Sequence, residues 1–265
     1  SGAHANVQCA VGGAAQSGLL HAAGRCLLLK IRLAQIGLSI RIGQNLGKMA
    51  GLAEESYRDG IDILCFPECA LTGYIRDFSR LDYGDVLSAV DTLGQLAKGR
   101  VCLIVGTPYV EGDRLFNSAV VLLKDGSRLM YRKQHLTQYD ENYFSAGNRG
   151  LIFEARGVRC GVAICRDQSH NAVFAEYREA VASVVFLPSA HYYPPKEAGE
   201  KRDKNRALPI VRALDNGMCV AKANAVGTVR HRVSLGGSLI VDRRGMVVRE
   251  AGSAEETTLT YAIKV

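Results

Sequence analysis

The sequence predicts a single α/β domain in which two packed β-sheets are covered by helices. Three observations carry that expectation. Short apolar runs of strand length alternate with stretches whose apolar residues recur at helical spacing, so the two element types are intermixed along the chain. No linker divides the 265 residues. Hydrophobic residues make up 48% of the chain and charged residues 22%, enough apolar mass to bury a core unaided and too much for a disordered protein.

Leu28 to Gln35 reads as the first strand, and a helix follows from about Asn45 with Leu46, Met49, Ala53 and Tyr57 on one face. Gly60 closes it, and Ile61 to Phe66 is a short buried strand. Val86, Val90, Leu93 and Ala97 mark a second helix, and Val101 to Val105 a further strand. Ser118 to Leu123 and Arg128 to Tyr131 form a hairpin about the favoured turn pair Asp125-Gly126. Val158, Cys160, Val162 and Ile164 alternate along another strand, followed by a helix stacking Val173, Tyr177 and Val181, then the strand Ser183 to Leu187. Residues 189–206 read as a long polar loop carrying Pro194-Pro195, which is expected to border the pocket and tune specificity. A helix at about 206–215, a strand from Met218 to Ala223 and two strands near 236–241 and 245–250 complete the pattern. Residues 1–27, rich in Gly and Ala and without an acid, are set apart as an N-terminal extension (tag remnant, leader or disordered) before a single domain at 28–265.

No apolar run approaches the ~20 residues that crossing a bilayer requires. The net charge of +7 would suit a nucleic-acid partner, but the basic residues are interleaved with acids, as Glu197, Glu200 and Asp203 interrupt Lys196 to Arg206. Aromatic residues are 7% with no Trp, so stacking platforms are few. The expectation is no nucleic-acid and no membrane partner, with the charge serving solubility and, secondarily, attraction of anionic substrates. The eight cysteines, at 9, 26, 65, 69, 102, 160, 165 and 219, include no CxxC pair and fall partly in buried strands. They read as thiols of a reducing compartment, hence a cytoplasmic protein, rather than zinc ligands or disulfides.

Three polar residues stand just after apolar strands, where α/β folds build their sites: Glu68, Lys133 and Cys165. A cysteine at a strand-to-helix turn meets amide donors that favour its thiolate. With a carboxylate and an ammonium it supplies nucleophile, proton carrier and oxyanion stabiliser for acyl transfer through a thioester.

The local sequences sharpen this. Phe66-Pro67-Glu68-Cys69-Ala70-Leu71-Thr72-Gly73-Tyr74, Tyr131-Arg132-Lys133-Gln134-His135-Leu136 and Gly161-Val162-Ala163-Ile164-Cys165-Arg166-Asp167 together resemble the carbon–nitrogen hydrolase (nitrilase) superfamily. Asn117, Pro188-Ser189-Ala190, Asn224 and Gly237-Ser238 are weaker echoes of it. The resemblance implies a four-layer αββα sandwich of two mixed β-sheets flanked by helices, and a triad of Glu68, Lys133 and Cys165. It implies a second glutamate, which Glu141 fits unless it is a surface acid of its polar loop, with Lys133 and the backbone amide of Arg166 as oxyanion donors; Ser189 and His191 are further candidates for positioning substrate. No cofactor and no metal are called for. The partner is a small-molecule amide or carbamoyl substrate, and the protein a homodimer or higher oligomer stacking through helices that include the one after Cys165.

The activity implied is hydrolysis of a non-peptide amide to a carboxylic acid and ammonia. Alternatives are an N-carbamoyl-amine hydrolase, a glutaminase-type ammonia-producing unit, and a catalytically silent binding or scaffold member of the fold. Arg166 stands where an aromatic often follows the cysteine, and Asn171-Ala172 where a Pro-Glu pair is common. A nitrile-hydrolysing member would resemble Cys-Trp-Glu where this chain has Cys165-Arg166-Asp167. His170 reads as a cap or surface residue rather than a Cys–His partner, His135 as packing behind the site, and Cys69 as an apolar filler. His191, Tyr192 and Tyr193 either line the pocket or sit in a solvated loop.

Overall fold

The structure, a computed structural model, describes residues 8–9, 28–75, 77–229 and 231–264. In chain order the elements are β1 (Gln8–Cys9), β2 (Leu28–Gln35), α1 (Ile42–Arg58), β3 (Ile63–Cys65), α2 (Tyr83–Ala97), β4 (Cys102–Glu111), β5 (Arg114–Leu122), β6 (Arg128–Arg132), β7 (Leu151–Ala155) and β8 (Val158–Val162). There follow α3 (Asn171–Glu179), β9 (Val184–Ser189), β10 (Tyr192–Tyr193), α4 (Pro195–Asn216), β11 (Cys219–Asn224), β12 (Thr228–Val229), β13 (Arg232–Ser234), β14 (Leu239–Val241), β15 (Val247–Glu250) and β16 (Thr257–Lys264). The expectation for residues 1–27 lies outside the described residues apart from β1, which pairs in parallel with β7.

Two mixed sheets result. One runs β16-β2-β3-β4-β5-β6 and the other β1-β7-β8-β9-β11-β14-β15, while β10, β13 and β12 make a small third sheet. Strands β2, β3 and β4 are mutually parallel, as are β8, β9 and β11. The alternation of the strands sorts their side chains between layers. Ile63 and Cys65 of β3 face the second sheet, joining Leu33, Ile104, Cys160, Val162 and Phe186 in the central core. Leu64 and Phe66 point the other way, onto Met49, Ala53, Val90 and Leu93 of α1 and α2. On the far side, Val173, Phe174, Tyr177 and Ala213 of α3 and α4 cover Val185, Leu187 and Val220. Helices, sheet, sheet, helices: the four layers are those expected. No helix among the described residues is long and apolar enough to cross a membrane.

Several expectations need correcting. The stretch from His191 to Arg206 is not a long loop: β10 and then the 22-residue helix α4 occupy it. Pro195 stands at the start of the helix, where its fixed φ and missing N–H suit the first turn, and the interleaved Lys, Arg and Glu residues are its solvated face. Val181 lies beyond α3, in the left-handed region at φ 57° and 71% exposed, whereas Val173 and Tyr177 are buried in the protomer's own core. Val173 and Tyr177 thus pack the protomer's own core. Gly161 lets the Tyr177 ring approach, since a Cβ there would lie 2.6 Å from a ring carbon. Sequence reading also missed β7 and β16. The latter alternates Leu259, Tyr261 and Ile263 with Thr258, Thr260, Ala262 and Lys264, all exposed or half-exposed, and pairs antiparallel along the whole of β2.

Candidate active site

The parallel strands deliver the predicted residues to one end of the sandwich. β3 ends at Cys65, and Phe66-Pro67 carries the chain over to Glu68. Its loop lies directly on β4 at Gly106, where a Cβ would come 2.1 Å from the Pro67 carbonyl oxygen. Lys133 follows β6 and donates its backbone N–H to the Asn117 carbonyl at 2.9 Å, extending the β5–β6 ladder by one step. Cys165 opens a 3-10 turn just after β8, with φ at 45°. A non-glycine residue in that region carries steric strain, which persists only where its surroundings enforce it. Here Asp167 does so. Its carboxylate accepts from the Ile164 amide at 2.9 Å and Tyr131 Oη at 2.8 Å, and from the His135 amide at 2.8 Å. One buried acid thus pins the cysteine turn to the segment carrying Lys133.

Glu68 and Lys133 are each 1% exposed, and Lys133 Nζ lies 2.6 Å from Glu68 Oε1. The same oxygen accepts from Asn117 Nδ2 at 2.8 Å, and Oε2 accepts from the Ala190 amide at 3.0 Å. Lys133 makes its second ion pair with Asp140 Oδ2, at 2.8 Å. Burial works against the Lys133 charge, but Glu68, Cys165 and Asp140 outweigh it and hold the ammonium well above its usual range. Burial raises the Glu68 carboxyl despite Lys133, while Asp140, also opposed by burial, is held low by Lys133 and by Tyr74 and Thr137. Burial and the Glu68 charge push the Cys165 thiol well above its usual value, against the pull of Lys133 and the Ala190 amide. The resting group is therefore a thiol, which needs a base to react.

Glu68, Lys133 and Cys165 line one cavity of about 600 Å³, together with Tyr74, Ile75, Tyr139, Tyr192 and Tyr193. His191 lines it too, 5% exposed, with Nε2 3.5 Å from Cys165 Sγ and 2.9 Å from Gln168 Nε2. Since Gln168 donates, Nε2 accepts, and burial with the nearby Lys222 and Lys133 keeps the ring neutral. The expected supporting residues divide. His191 reaches the cavity. Ser189 does not: its hydroxyl bonds the Leu187 carbonyl at 3.2 Å, and the next residue's amide meets Glu68 instead. Glu141 is exposed, and the acid that meets Lys133 is its neighbour Asp140, turned inward by a 3-10 turn that its own carboxylate closes on the Thr137 amide at 2.9 Å. The Arg166 side chain is exposed. His170 stacks on the His135 ring at 3.6 Å, consistent with neither being a partner of the thiol. Sequence reasoning gives Asn117 only as a family echo and does not single out Asp140 or Asp167, whose roles depend on tertiary contacts. Among the described residues no group of three or more His, Cys, Asp or Glu side chains gathers as metal ligands would.

The αββα sandwich thus holds a buried carboxylate–ammonium pair beside a strained cysteine. Residues 30–265 match the carbon–nitrogen hydrolase family, and the chain belongs to that family of enzymes. It is 30% identical over 230 residues to a glutamine-dependent NAD(+) synthetase of Xylella fastidiosa, covering 83% of this chain but 41% of that protein, so it spans less than half of that relative's length. It is 32% identical to a 2-oxoglutaramate amidase of Bacillus subtilis over 73% of this chain and 75% of that one. Among solved structures, an amidase from Nesterenkonia sp. superposes with a TM-score of 0.80 at 23% identity, covering 94% of each chain, a likeness of fold.

Proposed function

We propose that this carbon–nitrogen hydrolase is a cysteine-dependent amidase that converts a small-molecule amide to a carboxylic acid and ammonia. The observation that carries the reading is the convergence of Glu68, Lys133 and Cys165 on one cavity, with Glu68 fixed on both oxygens by Lys133, Asn117 and the Ala190 amide. Glu68 accepts the Cys165 thiol proton as sulfur bonds to the amide carbon. The oxyanion that forms is held by Lys133 and the Arg166 amide. Glu68 passes its proton to the nitrogen, the C–N bond breaks and ammonia leaves. Water then adds to the thioester, giving a proton to Glu68. The C–S bond breaks, and the proton returns to sulfur as the acid departs.

The likeness to a 2-oxoglutaramate amidase supports the amide class, and the likeness to a glutamine-dependent NAD(+) synthetase supports a glutaminase-type variant of the same chemistry. Among the described residues six cysteines are free and buried, which suits a reducing, cytoplasmic setting. Exposed Val211 and Leu214 on α4, with exposed Met246, suit self-association, read out as a dimer mass by light scattering. The deciding experiment measures ammonia release over short ω-amides including glutamine, carbamoyl amines and nitriles, with mass spectrometry of trapped enzyme. Turnover of amides with an acyl adduct on Cys165 is expected. Silence across the panel, or an adduct on another cysteine, would sink the reading.

A further inference from the structure

Beside the nucleophile stands a ring nitrogen that the proposed reaction does not use. His191 Nε2 lies 3.5 Å from Cys165 Sγ, where a free imidazole would take the thiol proton and form a thiolate–imidazolium pair. Which nitrogen of the ring carries its hydrogen decides the matter, and that is fixed in α4. Pro209 stands inside this helix without an N–H, so the Asn205 carbonyl loses the helix bond it would otherwise accept. Lys222 Nζ donates to that carbonyl at 2.8 Å and holds Asn205 against β11. The Asn205 side chain then has a single orientation. Its Nδ2 donates to the Lys201 carbonyl at 2.8 Å, an atom with no hydrogen to give, and to Tyr193 Oη at 3.3 Å. Oδ1 therefore faces Gln168 at 3.0 Å and needs a donor there.

The Gln168 group that meets it is the –NH2, whose other hydrogen points at His191 Nε2, 2.9 Å away. Nε2 is thus the acceptor, and in the neutral ring the hydrogen sits on Nδ1. Gln168 Oε1 stays buried with no partner among the described residues, a cost that a freely turning amide would avoid. Gln168, Asn205 and His191 are all buried, so water does not compete for these bonds. Around the ring stand Cys165, Tyr193 stacked on it, and the cations Lys222 and Lys133, with Glu68 beyond, paired to Lys133. Burial and the two lysines oppose a positive charge on the ring. We infer that Gln168 and Asn205 are positioning residues that fill the Nε2 lone pair of His191 and so deny it the Cys165 proton, leaving Glu68 as the acceptor. Were His191 the acceptor, the S–H bond would break and an N–H bond form on Nε2, an ion pair of no net charge. The proton would then rest on the ring and not on the carboxylate that hands it to the leaving nitrogen.

This rests on the reading of Cys165 as nucleophile and Glu68 as its base, but both measurements dispense with an amide, so a lack of turnover would defeat that reading alone. Nitrogen NMR of the full chain with isotope-labelled histidine, its signals assigned by their loss in His191→Phe, should show His191 neutral at neutral pH, with hydrogen on Nδ1 and none on Nε2. Labelling of Cys165 by iodoacetamide, located by mass spectrometry, is then followed against pH in the wild type and in Gln168→Met, a side chain of matching length without the donor. Freeing Nε2 should speed labelling at neutral pH by about tenfold or more and move the pH midpoint down, since the thiolate is the reactive form. Adding His191→Phe should abolish the gain, which a merely structural role for Gln168 would not require. If Gln168→Met does not fold, the NMR of the wild type decides. A hydrogen on Nε2, a Gln168→Met profile that overlays the wild type, or a gain that survives His191→Phe overturns the inference.

Discussion

From β2 to β6, and again from β8 to β15, the chain lays down the same sheet. Three parallel strands come first, the first two of them followed by helices, and then an antiparallel pair. An extra antiparallel strand, β16 in one sheet and β7 in the other, flanks the first parallel strand. The two sheets handle polar groups in opposite ways. The first half pairs its buried cations with acids: Lys133 with the buried Glu68 and Asp140, and Arg32 with Asp59 at the surface. The second half supplies neutral or lone groups: a strained thiol, a neutral His191, and Lys222, 2% exposed with the Asn205 carbonyl as its acceptor at 2.8 Å. A repeated scaffold thus does not imply repeated chemistry. The residues that differ sit where each strand hands the chain to its turn, and the site exists only where the two sets meet.

The contrast can be broken most sharply at the nucleophile. Cys165→Ala should lower turnover by at least about a thousandfold while leaving the melting temperature nearly unchanged, because Glu68 and Asp140 still pair with Lys133. Residual activity near wild type would end its assignment. Lys133→Met should remove turnover and also destabilise the protein by about 3–5 kcal/mol, since two buried carboxylates lose their cation. Denaturant melts that match wild type would show that the pair is not what holds the first half together.

Lys222 tests the other side of the comparison. Burial lowers its pKa from 10.5 to about 8. Between those values the unfolded chain binds more protons than the folded one, so stability rises with pH through that window and the penalty is full below it. Lys222→Met should therefore stabilise the protein at pH 7 by up to about 3 kcal/mol, with the gain fading above pH 10 in paired thermal melts. Asp140→Asn should cost roughly 1–3 kcal/mol and much of the activity, whereas Glu141→Gln next to it should stay within about 0.5 kcal/mol. Equal effects would return Glu141 to the site. The smallest effect is one of profile. Because burial raises Glu68 above 4.5, and only its carboxylate accepts the thiol proton, kcat/KM should decline as pH falls through that raised value. A flat profile down to pH 4 would remove Glu68 as the base.

The layers and the three convergent residues were legible because period-two and period-3.6 patterns, and motifs at strand ends, are local properties of sequence. What escaped was set by tertiary contact. Asp140 and Glu141 are equivalent as letters, and only the turn at Thr137 decides which one faces Lys133. Asp167 is an ordinary acid until Tyr131, Ile164 and His135 all donate to it. The first two turns of α4 resemble a loop because a helix facing solvent shows charge where a buried one shows periodicity.

The pairing of β16 with β2 joins Thr257 to Gln35 and Lys264 to Leu28, almost the full span of the described chain. During synthesis, β2 emerges well over two hundred residues before β16 and must wait with one edge unsatisfied until β16 leaves the ribosome. Such an edge recruits foreign strands, so the nascent protein depends on holding chaperones or on the speed with which β16 pairs. A truncation that removes β16 should accordingly be found in aggregates, with every residue of the proposed triad still present.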